Sequence, residues 1–94
     1  MTINVKFVGS FRGLSCKNKL SLKLEKAVPF REVVKKIVEE APKLEQALID
    51  PDFESPKTNM LVLVNGKEIS VLNGLETVIE DGDEVVFVPV VHGG

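Results

Sequence analysis

The hydrophobic residues of this 94-residue chain change their spacing near residue 29, and that change limits the folds open to it. Before it, residues 2–8 and 19–25 alternate between apolar and polar side chains, as strands with one buried face do. After it, apolar side chains recur at helical spacing on one stripe, formed by Phe30, Val33, Val34, Ile37, Val38 and Ala41. The sequence therefore predicts an opening hairpin followed by a helix with one apolar side.

The second half of the chain returns to patterns that are typical of strands. Residues 60–64 are a nearly continuous apolar run, which predicts a well-buried strand, and Asn65-Gly66 favours a tight hairpin turn that needs positive φ. Residues 67–71 are expected to return as a short strand, and residues 84–89 form the last strand, which Pro89 ends. Between these strands, the side chains expected to reach the core are Leu75, Val78 and Ile79.

The predicted order is strand, strand, helix, strand, strand, strand. An opening hairpin, one main helix across one sheet face and a last strand beside the first give an α+β roll. A chain of this length supports only one core, so we expect one domain over residues 1–88. Residues 89–94 are expected to form a flexible tail. The uncovered face of the sheet then meets water or a partner.

Charge and residue content argue against several classes of function. The net charge is −2 and no basic cluster occurs, so direct binding of nucleic acid is not expected. Cys16 and His92 are the only cysteine and histidine, which excludes an internal disulfide, a histidine-based triad and a multi-histidine metal site. No run resembles a signal peptide or a bilayer span, so we expect a cytoplasmic protein without a membrane partner. No phosphate-binding glycine loop occurs either, and we expect no bound metal or cofactor.

The chain finishes on Gly93 and Gly94, directly after the apolar extended run of residues 85–92 (VVFVPVVH). Glycine lacks a Cβ, so two in succession form a thin segment that can enter a cleft and carry a carboxylate into it. Residues 89–94 can reach about 20 Å when extended. The pattern favours a tail on which another protein does chemistry, with a frayed terminus as the alternative. His92 then either orients this tail in the partner or is a plain polar residue.

The first and last strands also predict a surface beside the tail. When their buried sides face the helix, Val8, Val86 and Val88 face away and form an exposed apolar patch. Such patches usually mark contact surfaces. Arg12 would supply a polar rim to this partner patch. The alternative is a solvated strand with ordinary apolar side chains.

The order of elements and four short stretches together resemble one superfamily. The stretches are residues 5–14 (VKFVGSFRGL), 64–66 (VNG), 81–85 (DGDEV) and 93–94 (GG). Over essentially its whole length the chain is similar to the ubiquitin-like β-grasp proteins. Within them it resembles the sulfur carriers, which are the small subunit of molybdopterin synthase (MoaD), the thiamine sulfur carrier (ThiS) and the ubiquitin-related modifier. Residues 89–92 (PVVH) depart from the two prolines and small residue of a MoaD-type tail and look more like the ubiquitin-related modifier.

This resemblance implies a β-grasp fold with a mixed five-stranded sheet, and a role as carrier and co-substrate rather than enzyme. An E1-like enzyme would adenylate Gly94 with ATP, and a persulfide would convert it to a thiocarboxylate. The sulfur would pass to a tRNA-thiolation enzyme, or the activated glycine would be joined to a lysine of a target protein. Two alternatives stay open. In one, the tail inserts into the large subunit of molybdopterin synthase; in the other, the chain is an interaction module whose tail is never activated.

Overall fold

Five strands form one mixed sheet in the computed structural model of the chain, which describes residues 1–9, 11, 18–50, 55–56 and 60–89. The strands in chain order are β1 (Thr2–Phe7), β2 (Lys19–Lys23), β3 (Val28–Pro29), β4 (Ile49–Asp50), β5 (Ser55–Pro56), β6 (Met60–Val64), β7 (Lys67–Glu68), β8 (Val78–Ile79) and β9 (Glu84–Pro89). The helices are α1 (Phe30–Glu40) and α2 (Glu45–Leu48), with 3-10 turns at Pro42–Leu44, Ile69–Val71 and Gly74–Glu76.

The order of strands across the main sheet is β2-β1-β9-β6-β7. β9 lies at its centre, parallel to β1 and antiparallel to β6. β1 also pairs with β2, and β6 with β7, both antiparallel. Two-residue ladders join β3 to β8 and β4 to β5 outside this sheet. The predicted β-grasp arrangement, with an opening hairpin and a last strand beside the first, is confirmed.

α1 covers one face of the sheet with its apolar stripe. Its side chains Phe30, Val33, Val34 and Ile37 are buried, and they meet the inward side chains of the strands, which include Ile3, Val5, Phe7, Leu22, Val62, Val64, Val85 and Phe87. The alternation predicted for β1 and β9 is therefore correct on the buried side. Within the described ranges, no helix has both the length and the apolar character needed to cross a bilayer.

Three phenylalanines tie the central strand to the helix. The ring of Phe87 stacks on that of Phe7 at a centroid distance of 5.6 Å, and it lies 5.8 Å from the ring of Phe30. Aromatic pairs at such distances add to the free energy gained from burying their area. Because Phe87 stands two residues before Pro89, this aromatic cluster fixes the end of β9 to the core.

The turn predicted at Asn65-Gly66 is confirmed, since both residues have positive φ, 51° and 85°. Side chains join this turn to the start of β9. The Asn65 Nδ2 group donates to Asp83 Oδ1 (2.9 Å), and the backbone N–H of Glu84 donates to Asn65 Oδ1 (2.9 Å). The Asn65 side chain therefore bridges the Asp83 carboxylate and the backbone N–H of Glu84, at the end of the sheet opposite Pro89.

Two sequence predictions are wrong in the segment between β7 and β9. Residues 67–71 do not form one strand, because β7 ends at Glu68 and a 3-10 turn follows. Leu75 and Val78 do not reach the core, since they are 38% and 55% exposed, whereas Ile79 is fully buried. Neighbouring strand residues point to opposite sides, so Val78 faces out when Ile79 faces in. Leu75 belongs to an exposed 3-10 turn.

Candidate functional site

The central strand β9 ends at Pro89, and this residue is the root of the predicted tail. On one side, Pro89 is in register with Met60 of β6. On the other side, the N–H of Val8 donates to the carbonyl oxygen of Phe87 (3.2 Å). Pro89 has no N–H with which to donate a further bond to that side. The predicted tail residues His92, Gly93 and Gly94 lie outside the described residues.

An apolar patch lies on the sheet face that α1 leaves uncovered. Val86 is in register with Leu63, and Val88 with Leu61. Residues in register on neighbouring strands share a face, and their own neighbours along each strand are buried on the opposite face. Val8 follows the inward-facing end of β1 and is 37% exposed, so it also faces outward. We call these five residues, Val8, Leu61, Leu63, Val86 and Val88, the outer-face patch.

The structure thus brings together Val8, Val86 and Val88, the three apolar residues of the predicted partner patch, at the end of the sheet where Pro89 lies. Arg12, the predicted polar rim, lies outside the described residues. Leu61 and Leu63 also belong to the patch and are half-buried, although the sequence predicts only a well-buried strand there. Their register with β9 identifies them, and a continuous apolar run carries no sign of that register.

Charged side chains surround the outer-face patch. Lys6 and Glu84 form an exposed ion pair on the same face, with Nζ 2.9 Å from Oε2. Lys19 of β2 is in register with Lys6, and Glu68 of β7 is in register with Leu63. An exposed ion pair adds little to the free energy of unfolding. An apolar centre with a polar, solvated rim is instead the usual composition of a protein–protein interface.

Among the described residues, no three histidine, cysteine, aspartate or glutamate side chains come together as a metal site. On the helix side of the sheet, the Nε group of Arg31 donates to Glu76 Oε1 (2.8 Å). This hydrogen bond raises the pKa of Arg31 above its ordinary value and links α1 to the Gly74–Glu76 turn. The other side of the sheet carries the outer-face patch with its charged rim, beside the end of β9.

The chain is similar in sequence to known proteins. The ThiS family model matches residues 5–94 of the chain. The chain is 29% identical over 94 residues to small archaeal modifier protein 3 of Haloferax volcanii, and the match covers the whole of both proteins. The matched ranges include every strand of the main sheet, the outer-face patch and the glycine pair.

Solved structures agree with the sequence matches. The solution structure of small archaeal modifier protein 1 from Methanosarcina acetivorans is similar, with a TM-score of 0.85 and 28% identity; the match covers 99% of this chain and 96% of that one. The solution structure of Urm1 from Trypanosoma brucei is similar with a TM-score of 0.73 and 28% identity, covering 99% and 95%.

Proposed function

Because this chain belongs to the ThiS family, a group of ubiquitin-like sulfur carriers and modifiers, we propose that Gly94 is the residue a separate enzyme activates. Support comes above all from the extent of the family match, which runs through residue 94 and so includes the glycine pair. In this proposal the chain is a co-substrate. The activating partner is an E1-like enzyme that supplies ATP, and the carrier itself binds no cofactor.

The chemistry begins from a poor electrophile. The Gly94 carboxylate attacks the α-phosphate of ATP, which gives an acyl-adenylate and releases pyrophosphate. A persulfide of the partner attacks the acyl carbon and displaces AMP. A thiol of the partner then cleaves the sulfur–sulfur bond, which leaves a thiocarboxylate on Gly94 and a disulfide on the partner. Gly93 and Gly94 contribute their lack of a Cβ, because a narrow active-site channel admits them more easily than other residues.

The outer-face patch would hold the body of the carrier while the tail enters the active site. Its five apolar residues lie at the end of the sheet from which the tail continues, so one partner can contact both at once. The aromatic cluster under β9 keeps that end of the sheet rigid. A rigid docking surface lets the binding energy of the body position a distant reacting group.

Two uses of the activated tail fit the relatives. A thiocarboxylate donates sulfur, here proposed to a tRNA-thiolation enzyme, and an activated acyl group joins a lysine amine in an isopeptide bond. The second use follows the relatives whose names describe them as modifiers. A MoaD-type role with a large subunit of molybdopterin synthase is the alternative.

Intact-mass spectrometry tests the proposed function directly. The purified chain is incubated with ATP, a persulfide donor and the E1-like enzyme of the same organism. We expect the mass of the chain to increase by the difference between sulfur and oxygen. Without ATP, we expect the mass to stay unchanged. Lysine-linked adducts in a cell extract would support the use of the chain as a protein modifier. A stable complex with a pterin-binding large subunit would favour the MoaD-type alternative. An unchanged mass in the complete reaction would contradict the proposal.

The outer-face patch gives a second prediction. We expect Val88→Lys to raise the KM for the carrier in ATP–pyrophosphate exchange about tenfold, because a central interface residue is worth about 1.4 kcal/mol or more. The kcat should change little, since the tail itself is intact. The measurement is the initial rate of exchange against carrier concentration.

Val78→Lys is the matched control for that change. Val78 is also a strand valine and is 55% exposed, but β8 lies outside the main sheet. The Val78→Lys change should therefore leave the KM for the carrier at the wild-type value. Equal KM values for the Val88 and Val78 variants would show that the outer-face patch does not dock the partner.

A further inference from the structure

Gly9 and Pro89 touch at the root of the tail. Gly9 has a φ of +61°, and a Cβ built on it would lie 2.9 Å from Pro89 Cγ and 3.3 Å from Pro89 Cδ. Real Cβ atoms essentially never approach a heavy atom as closely as 2.9 Å. Gly9 therefore leaves a gap of about one methyl group, and the proline ring fills it.

The pairing of the strands explains why the ring lies there. Phe87 turns its carbonyl oxygen toward β1, where the Val8 N–H binds it. Backbone groups of a strand alternate between its two sides, so the nitrogen of Pro89 also faces the β1 side. The position of the missing N–H is taken by the ring carbons. Opposite Pro89, β1 has already ended and the chain turns at Gly9. The ring therefore contacts the glycine, and no hydrogen bond between β1 and β9 is lost.

We propose that the contact between Gly9 and Pro89 fixes the end of β9, and that the activating enzyme needs this end in place in order to use the Gly94 carboxylate. This inference rests on the proposed function. Proline fixes its own φ, so the ring and the backbone of residue 89 move together. The ring is held on one side by Gly9 and through the backbone by Phe87, whose own ring is stacked in the core. Gly9 is a positioning residue that acts through Pro89.

The two residues can be tested as a cycle. Gly9→Ala places a methyl group where the ring stands and displaces it, and Pro89→Ala removes the ring and leaves the gap empty. Each single change should lower kcat in ATP–pyrophosphate exchange, Gly9→Ala by about tenfold or more, because small misplacements near reacting atoms cost that much. KM should stay near the wild-type value. In the double variant the new methyl group has no ring to displace, so kcat should equal that of Pro89→Ala and fall no further; such non-additivity is expected of residues in contact.

Gly74→Ala is the matched control. Gly74 has a φ of +57°, almost that of Gly9, but a Cβ there would have nothing within 4 Å. Both alanine variants bear the same backbone strain, and only Gly9→Ala adds the collision. Thermal unfolding of both variants measures the strain, so a difference in kcat between them reports the contact.

A second measurement needs no partner. A nitroxide label is attached at Ser21→Cys in a Cys16→Ser chain, because Ser21 is exposed on β2. Paramagnetic broadening of the amide signals of residues 90–94 then reports where the tail travels. We expect Gly9→Ala and Pro89→Ala to change this profile, the double variant to give the same profile as Pro89→Ala, and Gly74→Ala to leave the wild-type profile unchanged.

The outcomes separate this inference from the proposed function. A wild-type chain that is never adenylated would refute the function, while the broadening profile still decides the contact. Equal kcat values and profiles for Gly9→Ala and Gly74→Ala would overturn the inference. So would a double variant whose kcat falls below that of Pro89→Ala by the same factor by which Gly9→Ala falls below the wild type. If Gly9→Ala fails to fold, an unchanged profile in Pro89→Ala overturns it instead.

Discussion

Deletion of Gly94 is expected to abolish activation of the chain while leaving its domain folded. The truncated chain ends at the Gly93 carboxylate, which stops about 3.5 Å short of the position that the full chain reaches. A misplacement of even 1 Å can cost about a hundredfold in rate. The core extends from Ile3 to Phe87, so the melting temperature should not change. ATP–pyrophosphate exchange and thermal unfolding of the same preparation measure the two quantities.

Gly94→Ala is the control for that deletion. It keeps the length of the tail and adds one methyl group, so its exchange rate should lie between those of the wild type and the deletion. Comparison of the three exchange rates separates the effect of tail length from the effect of tail width. Normal exchange by the deleted chain would contradict the role of Gly94 and, with it, the proposed function.

Phe87→Ala is expected to produce the largest loss of stability. Phe87 is fully buried and contacts the rings of both Phe7 and Phe30. Removal of a buried phenylalanine ring costs about 3–5 kcal/mol, because apolar area is lost and a cavity is left. A domain of this kind has a free energy of unfolding of about 5–15 kcal/mol in total. Urea denaturation should therefore give a much lower midpoint than the wild type.

Two variants bracket this prediction. Phe87→Leu keeps much of the buried volume and should cost distinctly less than the alanine variant. Val88→Ala removes apolar atoms from the next residue of β9 on the outer face, where the side chain is only half-buried. It should change the free energy of unfolding by less than about 1 kcal/mol. A Phe87→Ala chain as stable as Val88→Ala would show that the aromatic cluster does not hold β9.

Most of the fold could be predicted because its elements are marked by local patterns. The alternation of β1 and β2, the stripe of α1 and the Asn65-Gly66 turn each depend on residues close in sequence. The errors fall at residues 67–71, Leu75 and Val78, where two-residue ladders and 3-10 turns set the backbone path and the side-chain directions. Elements this short contain too few residues for a period to show.

The candidate site was only partly predictable, because its surface is assembled from strands distant in sequence. Alternation within β1 and β9 was enough to indicate Val8, Val86 and Val88. Leu61 and Leu63 join them only through the antiparallel register of β6 with β9, which no local pattern encodes. The contact between Gly9 and Pro89 is likewise a tertiary one, since the residues are 80 positions apart (89 − 9). In the sequence, Gly9 indicates a turn, but it does not indicate that the Pro89 ring fills the space beside it.

The parallel pairing of β1 with β9 has a mechanical consequence. β1 starts at the beginning of the chain and β9 ends at Pro89, so a force that pulls these two points apart slides one strand along the other. The hydrogen bonds between the strands then bear the load together instead of opening one after another. An unfolding enzyme that pulls on Pro89 while the start of β1 is held must therefore break the β1–β9 ladder in a single event.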